Sequence, residues 1–123
     1  MLNGDTVDSE AVRRYADSLS MDLSTAELEA FAEQFAQQDA ALADVDVLAS
    51  PTVPMLPPKW DADMDDVFGS LANTGPFNVT GHPAVSVPCG TVDGLPVGLQ
   101  FVAERGDDAA ALRAAPSWMA LRD

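Results

Sequence analysis

An α/β protein of modest size is what this sequence predicts, from three observations. Apolar residues recur at helical spacing between residues 8 and 43. Two β-branched runs between residues 84 and 102 are separated by a turn signal. An alanine-rich stretch follows Asp107-Asp108. The texture changes near Val45, dividing the chain into a helical amino-terminal segment, residues 1–43, and a strand-bearing segment, residues 44–123. The expected architecture is two or three helices, a small sheet and a final helix.

In the first helix Val12, Tyr15, Ala16 and Leu19 share a face, with Asp8 or Ser9 as cap. Residues 20–23 interrupt the pattern. Ser24-Thr25-Ala26-Glu27 is a capping box, in which hydroxyl and carboxylate satisfy free backbone amides reciprocally, and Leu23 and Leu28 stand at staple positions. Leu28, Phe31, Phe35 and Leu42 continue as a core-facing stripe, with Glu29, Glu33, Gln37 and Gln38 outward. Val45 to Ala49 reads as a short strand. Pro51, Pro54, Pro57 and Pro58 make residues 50–60 an extended loop, since proline neither donates to a ladder nor continues a helix. A short helix fits between Asp61 and Leu71, and Asn73 to Pro83 is rich in turn-formers. Ala84–Cys89 and Val97–Val102, joined through Val92-Asp93-Gly94, form a hairpin. Asp107 and Asp108 cap a helix over Ala109–Ala115, which Pro116 is expected to break or force to restart.

Composition excludes several classes. A chain of 123 residues builds one modest core, burying about 65% of its unfolded surface. Its single cysteine, Cys89, gives no internal disulfide and no zinc spacing. The net charge of −14 argues against nucleic acid, whose phosphates need a basic surface. The acidic residues are spread along the chain rather than gathered in a tail, as in a surface kept hydrated in strong salt. No apolar run approaches the roughly 20 residues that span a bilayer, and the first residues lack a secretory pattern. The cytoplasm is the expected location, and no cofactor is specified.

Three constellations invite chemistry. Cys89 and His82 offer a thiol and a base, but no glycine-rich oxyanion loop or orienting acid accompanies them, and a packed cysteine is the plainer reading. Asp61, Asp63 and Asp65 open like a calcium loop, yet the sixth and twelfth positions hold Asp66 and Ala72 where glycine and glutamate are needed. Asn78-Val79-Thr80 matches a glycosylation sequon, read as coincidental without a secretory signal.

The stretch Asn73-Thr74-Gly75-Pro76-Phe77-Asn78-Val79-Thr80-Gly81-His82-Pro83-Ala84-Val85-Ser86-Val87-Pro88-Cys89-Gly90 resembles the late segment of the amidase signature family. So do Gly94-Leu95-Pro96-Val97-Gly98-Leu99-Gln100 and, before them, Asp46 to Pro54. The resemblance spans residues 44–115 in family order, and more weakly residues 8–36. It implies hydrolysis of amide bonds by a serine, with a lysine base acting through a bridging serine in a cis peptide and a Gly-Gly-Ser-Ser loop supplying oxyanion donors. None of those parts has a counterpart here. No two serines are adjacent, and Lys59, the only lysine, stands in the proline-rich loop. The expectation is a truncated family member whose catalytic middle block is absent and which has no catalytic, cofactor-binding or metal-binding residue. The alternatives are the non-catalytic half of a split amidase or amidotransferase, or a small acidic interaction module. A complementary amidase fragment or self-association is the expected partnership, with no nucleic acid or membrane.

Overall fold

The structure is a computed structural model that describes residues 9–18 and 20–122. In chain order it contains α1 (Ser9–Ser18), α2 (Thr25–Leu42), β1 (Val47–Pro51), α3 (Met64–Gly69), a 3-10 turn (Ser70–Asn73), α4 (Gly75–Thr80), β2 (Ala84–Val92), β3 (Leu95–Ala103) and α5 (Asp108–Arg122). This is the mixed α/β class expected, built on a three-stranded antiparallel sheet of order β1-β3-β2.

The helical half follows its periodicity. Val12 and Ala16 of α1 are buried; Asp8, Leu19 and the Tyr15 side chain lie outside the described residues. The Ser24 hydroxyl accepts from the Glu27 amide while the Ser24 amide donates to the Glu27 carboxylate at 2.8 Å, completing the capping box. Leu28, Phe35 and Leu42 are buried on one stripe of α2, with Leu23 and Phe31 packed beside them. Burying each of these large side chains is worth about 1.5–3 kcal/mol. Gln38 departs from expectation. It stands between Phe35 and Leu42 on the stripe, half-buried rather than outward, and its Oε1 has no hydrogen-bond partner among the described residues.

Proline placement explains the strand boundaries. Thr52 N donates to Gly98 O at 3.0 Å, and Ala103 N donates to Pro83 O at 3.0 Å. Counting along the registers, Leu48 and Ser50 turn their backbone groups toward β3, as do Val85 and Val87 from the other side. Val47, Ala49 and Pro51 therefore face one edge of the sheet, and Ala84, Ser86 and Pro88 the other, both unpaired among the described residues. A proline at an outward position forfeits no ladder bond. The first strand accordingly runs Val47–Pro51, two residues later than the expected Val45–Ala49, and takes Ser50 and Pro51 from the expected loop.

The hairpin is present and longer than expected. Asp93 (φ 52°) and Gly94 (φ 78°) form a two-residue loop with both residues left-handed, which suits the twist of the flanking strands. A register shift between Pro88 and Gly90 makes Cys89 the extra residue of a β-bulge.

Two further expectations require correction. Within the turn-rich stretch, residues Gly75–Thr80 form α4, with Pro76 in the first turn and Gly81 at φ 77° as C-cap. The glycine and prolines bracket this helix rather than prevent it. The last helix does not stop at Pro116 but continues to Arg122. Pro116 is on the exposed side, where the Leu112 carbonyl it leaves unbonded can meet water, and the far half of the helix is tied down. Trp118 Nε1 and the Arg122 guanidinium both donate to the Pro88 carbonyl of the bulge, at 3.2 and 2.8 Å.

Each sheet face is covered at the same end. Leu42 and Phe77 pack with Val102 and Leu48 on one face, while Ala110 and Ala111 of α5 pack with Ala103, Val47 and Val85 on the other.

Candidate functional site

A polar cluster stands where α2, α4, the start of β2 and the loop after β3 meet. Asp39 projects from the last turns of α2, Thr80 ends α4, His82 follows the left-handed Gly81, and Arg105 follows β3. His82 Nε2 lies 3.0 Å from Asp39 Oδ1, and Arg105 reaches the same oxygen at 3.4 Å. The second ring nitrogen, Nδ1, is hydrogen-bonded to the Thr80 hydroxyl, which also lies 3.1 Å from the Pro76 carbonyl. The Phe77 ring meets the imidazole edge-on at a centroid separation of 5.9 Å.

Burial holds the His82 pKa below the usual imidazole value. The Asp39 charge opposes this shift, Arg105 assists it, and the hydrogen bond to Asp39 and the charge of Glu104 again oppose it. The ring is therefore neutral near pH 7, with Nε2–H donating to Asp39 and Nδ1 accepting from Thr80. The single hydroxyl proton of Thr80 serves either Nδ1 or the Pro76 carbonyl, one at a time.

Hydroxyl, imidazole and carboxylate thus lie in the order of a nucleophilic triad. Access decides against that use. Thr80 is 2% exposed and the His82 side chain 3%, so no substrate carbonyl reaches the hydroxyl oxygen. The adjoining open groove, about 390 Å³, is lined by Asp39, His82, Glu104 and Arg105 but not by Thr80. The cluster fastens α2, α4, the start of β2 and the loop after β3 together.

A second polar group lies on the sheet. The Thr52 and Ser86 hydroxyls are 2.6 Å apart. Gln100 Nε2 donates to the Asn73 carbonyl at 2.9 Å, and Asn73 Nδ2 donates to the Pro51 carbonyl at 2.9 Å. These bonds tie the 3-10 turn to β1 and β3. Among the described residues, the hydrogen bond of each hydroxyl is to the other rather than to a lysine or histidine.

The residues singled out from the sequence are not brought together. Cys89 is exposed in the bulge, while His82 is buried before the opposite end of β2. Seven residues of extended chain separate them by roughly 20 Å. Lys59 is exposed in the loop before α3. Asp63 Oδ1 accepts from the Asp65 amide at 3.5 Å, a helix-start contact. Among the described residues no group of three or more His, Cys, Asp or Glu side chains is placed to hold a metal ion. The sequon lies on α4, with Asn78 exposed and Thr80 buried. Asp39 and Arg105 leave no local trace in the sequence, because 66 positions separate them.

These elements define a mixed sheet-and-helix unit of the kind found in amidases. The family model described as Amidase matches residues 6–112, and the chain belongs to that family. It is 48% identical over 80 residues to a glutamyl-tRNA(Gln) amidotransferase subunit of Halobacterium salinarum, a match covering 63% of this chain and 19% of that protein. The crystal structure of the corresponding subunit from Thermotoga maritima superposes with a TM-score of 0.55 at 31% identity, covering 85% of this chain and 25% of that one. A crystal structure of an amidase shares the fold, with a TM-score of 0.62 over 86% of this chain and 26% of that one. The chain thus spans about a fifth to a quarter of the length of these relatives. Among the described residues no helix is long and apolar enough to cross a membrane.

Proposed function

We propose that this chain is a non-hydrolytic portion of an amidase-signature protein, carrying the late strands and last helix of that fold without its catalytic serines and lysine. The observation that carries this reading is the state of Lys59, the only lysine, which is exposed in a proline-rich loop. A lysine serves as a base near neutral pH only when burial or a neighbouring cation lowers its pKa. Without a base, a serine hydroxyl is a poor nucleophile. The sequence holds no adjacent pair of serines and no Gly-Gly pair to shape an oxyanion loop. The one imidazole is itself buried and bonded to Thr80 and to the part-exposed Asp39.

The purified chain, folded at molar potassium chloride, is expected to release no ammonia from benzamide, acetamide or glutamine above the buffer rate. Ammonia release that co-purifies with the chain and disappears in Cys89→Ala would replace this reading with cysteine catalysis.

A second reading rests on the relatives' names. Two of them are subunits of a glutamyl-tRNA(Gln) amidotransferase, and this chain matches only a minor part of each. On that reading the chain supports catalysis by docking with a complementary amidase chain that brings serines and lysine. Hydrolysis that appears on mixing with the complementary part of such a protein, and not with either piece alone, would establish it.

A further inference from the structure

Among the described residues both edges of the sheet are unpaired, and they are not equivalent. On β1 the outward backbone groups belong to Val47 and Ala49, with Pro51 closing the row through its carbonyl bond from Asn73. Asp44 and Asp46 flank this edge, and like charges brought edge to edge repel. On β2 the outward groups belong to Ala84 and Ser86, and Pro88 closes the row through its carbonyl bonds from Trp118 and Arg122. No formally charged side chain occurs from Gly81 to Val92, apart from the titratable His82 and Cys89, in a chain where 21% of residues are charged. Ala84 and Ser86 are small and exposed, so a neighbouring backbone meets no obstructing side chain.

We propose that this edge of β2 pairs with the same edge of a second copy, antiparallel about a two-fold axis through Val85. In that register Ala84 lies opposite Ser86 of the second copy, and each pair exchanges two backbone hydrogen bonds, giving four in all. Val85 then faces its counterpart in the non-hydrogen-bonded pair, where β-branched side chains pack well. The contact is isologous and closed, because the buried His82 precedes the outward row at one end and the Pro88 bulge ends it at the other. Two three-stranded sheets become one of six, ordered β1-β3-β2-β2-β3-β1. A net charge of −14 on each copy opposes the approach, so pairing belongs to high salt, where charges are screened within about 3 Å at 1 M.

Amide exchange on the intact chain at molar potassium chloride tests this. Val85 and Val87 amides, bonded to β3, should be protected at any concentration. Ala84 and Ser86 amides should slow about tenfold or more between micromolar and millimolar protein, while Val47 and Ala49 stay fast. Ala84→Lys should abolish that concentration dependence, and Ala49→Lys, with the same added charge, should leave it. Concentration-independent exchange at residues 84 and 86, or concentration-dependent protection at 47 and 49 instead, would overturn the proposal.

Discussion

Gly98 sits where β3 passes between β1 and β2, and a Cβ there would stand 2.9 Å from both the Thr52 and Ser86 hydroxyl oxygens. Those hydroxyls are bonded to each other, so either must abandon its partner to make room. Gly98→Ala should lower the unfolding free energy by about 1–3 kcal/mol. A Cβ at Gly69, the last residue of α3, meets nothing within 4 Å among the described residues, so Gly69→Ala should be neutral or stabilising by up to about 1 kcal/mol. Denaturant titration of the two variants distinguishes a crowded glycine from a merely tolerated one. His82 offers a second test at this scale. Its folded pKa lies below the unfolded value of 6.5, so the unfolded chain binds the proton more readily. Its contribution is complete above the unfolded value and is lost as pH falls through 6.5 toward the folded pKa. His82→Gln should therefore flatten the pH dependence of the unfolding midpoint as pH falls below 6.5; equal slopes in parent and variant would show that burial does not perturb the ring. Single residues are unevenly legible in the sequence. The Gly81-His82-Pro83 signature marks His82, but its partner Asp39 is brought near only by the packing of α2 against α4.

Among the elements, α2 and the hairpin are readable because their signals are local. The α2 start rests on side chains three residues apart, and Ser24→Ala should cost about 1 kcal/mol, measured as a lower denaturation midpoint. The hairpin loop needs left-handed residues, and Asp93-Gly94 supplies them. The last helix runs past Pro116, against expectation, because its continuation is anchored from elsewhere. Trp118 and Arg122 hold the far half against the Pro88 carbonyl, released by a bulge 30 residues away in sequence. Proline inside a helix still forfeits a hydrogen bond, at up to about 3 kcal/mol. Pro116→Ala should consequently raise stability by about 1–3 kcal/mol, and an unchanged melting temperature would mean that the helix has already relaxed around the ring. Residues 75–80 are hidden for a related reason: glycine and proline signal both turns and helix ends, and the burial of Phe77 and Val79 decides between them.

At the scale of the whole molecule, charge governs behaviour. Fourteen net negative charges on 123 residues repel one another in the compact state. Screening acts within about 10 Å at 0.1 M and about 3 Å at 1 M salt. Helicity and protease resistance should rise from low salt to molar potassium chloride, and identical circular dichroism and proteolysis at both would count against salt adaptation. A fold this small has a margin of only about 5–15 kcal/mol at best, so that gain separates a folded population from a frayed one. The central claim is that the folded chain contains no activated serine. Its most direct test is intact-mass measurement after exposure to a serine-directed fluorophosphonate at molar potassium chloride, with circular dichroism confirming the fold in the same sample. The account predicts an unchanged mass; a stoichiometric adduct mapped to any one serine would contradict it.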